Sequence, residues 1–254
     1  MGVMCAPMPP KDLGTSLRNG LMCGDLNGGP TRMAKILSDS LENRKGFDPD
    51  HVRLAYLNWW REDAFDTGPT FAITMGELDR DTDPEVAVRI AHEKLGGNSG
   101  GCGPVHRAAA PLALCRHIPT SQLAEAAIRE AKLTHFDAVA GDVSAAIALL
   151  TRYSSDGDGD GFLASLVRAG RGRLPVTQAA LEGGTIQPAK PSGYAPDALQ
   201  AAIYFLHSST RLEEALERSI RYAGPENYCP ILVGTIGAAY AWDDPDGLGN
   251  GKIA

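Results

Sequence analysis

The chain of 254 residues is poor in strand-forming pattern. Alternating, β-branched segments bounded by turns are almost absent, which excludes a sandwich or barrel and leaves strands incidental. Long hydrophobic runs are missing too, and none approaches the ~20 apolar residues that a membrane span needs. The opening "MGVMCAPMPPKDLG" lacks the basic start and apolar core of a signal peptide. Cysteine is scarce and scattered. Cys5, Cys23, Cys102, Cys115 and Cys229 are odd in number and form no CxxC pair. A zinc site or redox dithiol is therefore not expected, and a reducing, cytoplasmic setting is. Positive charge is in deficit, with 24 Lys and Arg against 31 Asp and Glu and a net charge of −7. That argues against nucleic acid and anionic membrane as partners. An anionic small molecule remains compatible, because backbone N–H groups at helix starts can hold it.

What is present is helical periodicity, carried by an ordinary 43% of hydrophobic residues. In "TRMAKILSDSL" Met33, Ile36, Leu37 and Leu41 share one face at spacings of three and four. "DHVRLAYLNWW" repeats the pattern with Val52, Tyr56 and Trp59. "DPEVAVRIAHEKL" opens on a capping box, Thr82 with Glu85, and closes at Gly96-Gly97. "SQLAEAAIREAKL", "FDAVAGDVSAAIALLTRY" and "APDALQAAIYFLH" read as helices. So does "STRLEEALERSIRYAG", with a second box of Thr210 and Glu213. The expected organisation is one all-α multi-helix domain over residues 15–242, flanked by a flexible segment 1–14 and a tail 243–254. In such a fold the site forms where loops and helix starts converge.

Several stretches carry possible chemistry. In "DGDGDG" Asp156, Asp158 and Asp160 stand at the first three ligand positions of a calcium loop, but position twelve is Val167 rather than a bidentate Glu. A solvated acidic turn is the better reading. "GGNSGGCGPVHRAAAPLAL" is stronger: glycines at 96, 97, 100, 101 and 103 leave N–H groups unshielded just before a helix start, a pocket for phosphate or carboxylate oxygens. His106 and Arg107 either serve the same anion or are solvated. "LTHFD" sets His135 beside a helix start, and "DTGPTF" supplies Asp66, a cap or turn residue near aromatic-rich helices. "YAGPENYCPILVGTIGAAYA" runs from a turn into a Gly- and Ala-rich helix, with Glu226 as its one charged side chain near the onset.

Taken in order, these pieces resemble the ADP-ribosylglycohydrolase family. "LRNGLMCGDLNGGP" is similar to its opening helix and Gly-Asp turn, "DTGPTF" to its Asp-x-Gly-x-Thr segment, and "GGNSGGCGPVHRAAAPLAL" to its Gly-rich loop and helix. "LTHFDAVAGDVSAAIALL" resembles its Thr-His helix, and residues 192–241 follow its last helices. The resemblance implies a ligand-binding set of Asn98, Ser99, Gly100, Gly101, Cys102, Gly103, His135, Gly193 and Tyr194. It also implies aspartates that hold paired Mg²⁺, in Thr-Asp-Asp-Thr and Gly-Asp-Thr-Asp-Thr motifs. Here the first motif reads Gly28-Gly29-Pro30-Thr31 and the second Gly224-Pro225-Glu226-Asn227-Tyr228. Two close cations need several carboxylates. No cofactor is therefore expected, and a weak Mg²⁺ site would have only Asp25, Thr31, Glu226 and Asn227 to draw on.

The expected function is binding of ADP-ribose or a related nucleotide-sugar, or of an ADP-ribosylated protein, without the dinuclear centre, as a pseudoenzyme does. The alternative is an active glycohydrolase with a reduced metal site, in which Asp66, Asp25 and Glu226 orient water or act as general base. A third reading is a fold repurposed for another small molecule, with a thiolate at Cys102 or Cys229 activated by a helix start.

Overall fold

The computed structural model describes residues 13–156, 161–226 and 228–240. Among these residues the chain forms thirteen α-helices and no strand beyond one isolated bridge, between Gly101 and Tyr194. The first half comprises α1 (Leu13–Gly24), α2 (Gly29–Arg44), α3 (Pro49–Asp63), α4 (Pro69–Leu78), α5 (Pro84–Lys94), α6 (Gly103–Leu114) and α7 (Thr120–Ala131). The second comprises α8 (Ala138–Asp156), α9 (Phe162–Gly170), α10 (Pro175–Glu182), α11 (Ala195–His207), α12 (Leu212–Ala223) and α13 (Pro230–Ala239). The all-α expectation holds. The Asp158 and Asp160 turn, Asn227 and most of both terminal segments lie outside the described residues. Among the described residues no helix is long and apolar enough to cross a membrane.

Helix starts follow capping chemistry, with two corrections. α5 is capped by Asp83, not Thr82: the Asp83 carboxylate accepts from the N–H groups of Glu85 and Val86, and Pro84 fills a position that needs no donor. Before α12, Thr210 bonds Glu214 rather than Glu213, which pairs instead with Arg211.

The centre of the molecule is built from α6, α8 and α13, against which α1, α2 and α7 pack. Every residue of α13 is buried, so its glycines and alanines serve packing on all sides. A methyl on Gly234 would strike the Gly20 carbonyl, and one on Gly24 would strike the Pro230 carbonyl. The α1 and α13 backbones are thus in direct contact along one seam. That seam sets Asp25, one residue past α1, beside the start of α13.

Candidate functional site

The loop from Gly96 to Gly103 is shaped by its turns and by what it touches. Gly96 and Gly97 have φ of 61° and 85°, the left-handed region in which glycine carries no steric penalty. Asn98 donates from Nδ2 to the Leu95 carbonyl at 3.1 Å, closing the end of α5. Ser99 is fully buried, its Oγ 2.7 Å from His92 Nδ1 and accepting from the Asp137 N–H at 3.2 Å. The next residues clamp onto the strand-like segment before α11: Cys102 N–H donates to the Gly193 carbonyl, and Ala195 N–H to the Gly100 carbonyl, each at 2.9 Å. The Tyr194 ring covers Gly100 and the Tyr228 ring covers Gly193. Around Gly101 and Gly103 the His135 imidazole is the nearest side chain, and the Gly193 carbonyl also lies against Gly101. Methyls placed there would stand 3.6 Å from His135 Nε2, and the one at Gly103 also 3.9 Å from Arg107 Nη1. These glycines form a cradle at the start of α6, whose first turn has no side-chain cap.

Behind the cradle lies a buried polar chain. Arg107 and Glu130 form an ion pair at 2.6 Å, both side chains fully buried. Tyr56 Oη donates to the same Glu130 oxygen at 2.9 Å. Arg107 Nη2 donates to Thr134 Oγ1 at 2.8 Å, and that oxygen lies 2.7 Å from His135 Nδ1. Arg107 Nη1 is buried without a hydrogen-bond partner among the described residues, although such groups are almost always satisfied. Burial first, and the Arg107 charge second, hold the His135 pKa well below the ordinary imidazole value. His135 is neutral at pH 7. His106, placed beside Arg107 by sequence, does not serve the anion and is not solvated. Its Nε2 lies 2.7 Å from the Tyr228 carbonyl, so it donates there and ties α6 to the start of α13. Burial lowers its pKa to about 4.

The second helix start, at α2, is organised differently. Asp25 Oδ1 accepts from the Gly28 N–H at 2.8 Å and the Asn27 N–H at 3.3 Å, while Oδ2 accepts from the Thr31 N–H at 2.7 Å. Asp66, itself at a φ of 49°, accepts from the Gly29 N–H through Oδ2 at 3.3 Å. Gly29 has no room for a side chain, because the Phe65 and Asp66 backbone lies against it. Glu226 is exposed and reaches toward Tyr228 and Cys102. Cys102 and Cys229 are both free and buried, and burial pushes each thiol up to about 12. A nucleophilic thiolate is therefore overturned, since burial outweighs any help from the helix starts. Two clefts of about 280 Å³ occur elsewhere, between α11 and α12 and between α2 and α3, and neither includes a cradle residue.

A model of the ADP-ribosylglycohydrolase family matches residues 19–241. The chain belongs to that family. A solved structure described as an ADP-ribosylglycohydrolase-related protein complex shares its fold, with a TM-score of 0.73 over 90% of this chain and 87% of that one, at 24% identity. No curated protein matches it in sequence.

The family's pair of divalent cations does not fit the residues described. Asp25 and Asp66 direct their oxygens at backbone N–H groups, Pro225 offers no ligand, and no three His, Cys, Asp or Glu side chains cluster as a metal site among the described residues. Of the residues expected at the site, the structure brings together Gly100, Gly101, Cys102, Gly103, His135, Gly193 and Tyr194. It leaves Asp25 and Asp66 at the α2 corner and gives Asn98 and Ser99 the task of holding the loop. Thr134, Glu130, Tyr56, Asp137 and Tyr228 escaped sequence reasoning. One signal was available for the first three: a charged Arg107 inside an apolar helix requires a buried partner.

Proposed function

We propose that this ADP-ribosylglycohydrolase family member binds ADP-ribose, or a related nucleotide-sugar, in the glycine cradle, and does so without a dinuclear Mg²⁺ centre. The observation that carries the reading is the convergence at Gly101 and Gly103. One imidazole nitrogen and one unpartnered guanidinium nitrogen face a side-chain-free helix start. Helix starts favour anionic oxygens, and a neutral imidazole with a guanidinium behind it adds to that preference. The exposed Tyr194 ring and the half-buried Tyr228 ring stand at the cradle's edge, where flat apolar faces suit a base or sugar. The corner carboxylates cap backbone, so conventional metal-dependent hydrolysis is not the expected activity. The ligand is a free nucleotide-type small molecule or the same group carried on a modified protein.

The test is calorimetric titration of ADP-ribose, with Mg²⁺ and then with EDTA. Micromolar binding that EDTA leaves unchanged is the expected result. Binding lost in EDTA would restore a metal site and make glycoside hydrolysis the leading activity. Gly103→Ala is the matched control. Its methyl would meet His135 at 3.5 Å, an ordinary contact, so the variant should fold normally while filling the space that the ligand needs.

A further inference from the structure

The buried chain behind His135 contains one hydroxyl whose hydrogen has only one good acceptor. Thr134 Oγ1 accepts from Arg107 Nη2 at 2.8 Å, and a guanidinium can only donate. The hydroxyl's single hydrogen then has two destinations, His135 Nδ1 at 2.7 Å or the Ala131 carbonyl at 3.5 Å. The first is a normal O–H···N length and the second lies at the limit of a hydrogen bond. With Nδ1 accepting, a neutral imidazole must carry its hydrogen on Nε2, the atom that faces Gly101 and Gly103. His135 makes no other hydrogen bond among the described residues that would oppose this.

We propose that Thr134, oriented by Arg107 and Glu130, is a positioning residue that fixes His135 as an Nε2–H donor aimed into the glycine cradle. The relay runs Glu130 to Arg107 to Thr134 to His135, and each link has a fixed direction. The carboxylate accepts from Arg107 and from Tyr56, the guanidinium donates to Thr134, and the threonine hydroxyl donates to the imidazole. Thr74 adds rigidity by donating from Oγ1 to the Thr134 carbonyl at 3.0 Å. The consequence for recognition rests on the ligand reading above: with a donor at Nε2, the cradle selects an acceptor oxygen, of a phosphoryl or carbonyl group, and disfavours a ligand that presents a hydroxyl or amine hydrogen there.

The test reads the imidazole itself and needs no ligand. ¹⁵N–¹H correlation spectra of the full-length protein, labelled on histidine, distinguish the two neutral tautomers by their nitrogen shifts. Wild type should show His135, assigned by comparison with His135→Gln, as the Nε2–H form near pH 7.5. Thr134→Ser, which keeps the hydroxyl, should show the same form. Thr134→Val, nearly the same shape without the hydroxyl, should lose it or mix the two forms, and should weaken ADP-ribose binding about tenfold, the worth of one hydrogen bond. A wild-type His135 protonated on Nδ1 would overturn the proposal, as would an unchanged Nε2–H signal in Thr134→Val. If Thr134→Val does not fold, the wild-type and Thr134→Ser spectra still decide. A protein that shows the Nε2–H form, loses it in Thr134→Val and yet ignores ADP-ribose would uphold the relay and reject only the ligand.

Discussion

The two helix starts at α6 and α2 stand close in kind and opposite in use. At α6 no side chain caps the helix, and the polar groups near it are Arg107 of α6 itself and Thr134 and His135 from the turn after α7. At α2 two aspartates from neighbouring loops occupy the backbone N–H groups themselves. The first arrangement gives the opening turn no side-chain acceptor, and the second supplies acceptors from within the chain. A helix N-terminus is thus not a site by virtue of its dipole; what decides is whether the chain has already supplied the anion.

The comparison is broken most severely by removing one partner of the buried pair behind the cradle. Arg107→Met leaves Glu130 and Tyr56 facing each other in the interior, and should lower stability by about 3–5 kcal/mol, measured by denaturant unfolding. A loss below about 1 kcal/mol, the worth of a surface pair, would show that water reaches the chain. Next in size is the effect of pH on His106, which ties α6 to the start of α13 through the Tyr228 carbonyl. Its folded pKa of about 4 lies below the unfolded value of about 6.5, so the unfolded chain takes up the proton first. Its contribution is complete above pH 6.5 and is lost as pH falls toward 4, by about 3 kcal/mol in all. The depressed His135 pKa acts in the same direction. His106→Gln should flatten the pH dependence of the unfolding midpoint across that window, and an unchanged slope would remove His106 from the account.

Smaller effects sharpen the α2 side. Gly234→Ala forces a methyl against the Gly20 carbonyl and should cost about 1–3 kcal/mol, visible as a lower melting temperature without any change in ligand specificity. Asp25→Ala removes a cap and should cost about 1 kcal/mol. If Asp25 is only a cap, ADP-ribose affinity will be nearly unchanged in that variant and Mg²⁺ will not stabilise the wild-type protein. A large fall in affinity, or a rise in melting temperature with Mg²⁺, would assign the corner a ligand role after all.

Much of the helical layout is legible in the sequence, because amphipathic spacing and breakers are local. Leu37 and Leu41 on α2, or Tyr56 and Trp59 on α3, declare a buried face by spacing alone. The short helices α4, α9 and α10 went unnamed, although Phe162, Ser165, Leu166 and Ala169 of α9 do fall on one buried face at helical spacing. The cradle was half legible: its glycines announced exposed backbone, and His135 was named, but not the carbonyl clamp from Gly193 that fixes the loop. For Cys102 and Cys229 the third reading weighed a helix start, which argues for a low thiol pKa, whereas burial, which has no local signature, raises it.

By itself the sequence determined the helical class and the positions of the breaking glycines and prolines. These depend on residue type and near-neighbour spacing, over which the chain has little freedom. Only the tertiary structure decided that Asp25 and Asp66 cap backbone, that Gly234 of α13 admits the α1 backbone, and that Glu130 reaches Arg107 from 23 residues away. Those are meetings between distant segments, fixed by how the helices pack, and the energy of a buried charge or an open helix start depends on who arrives there.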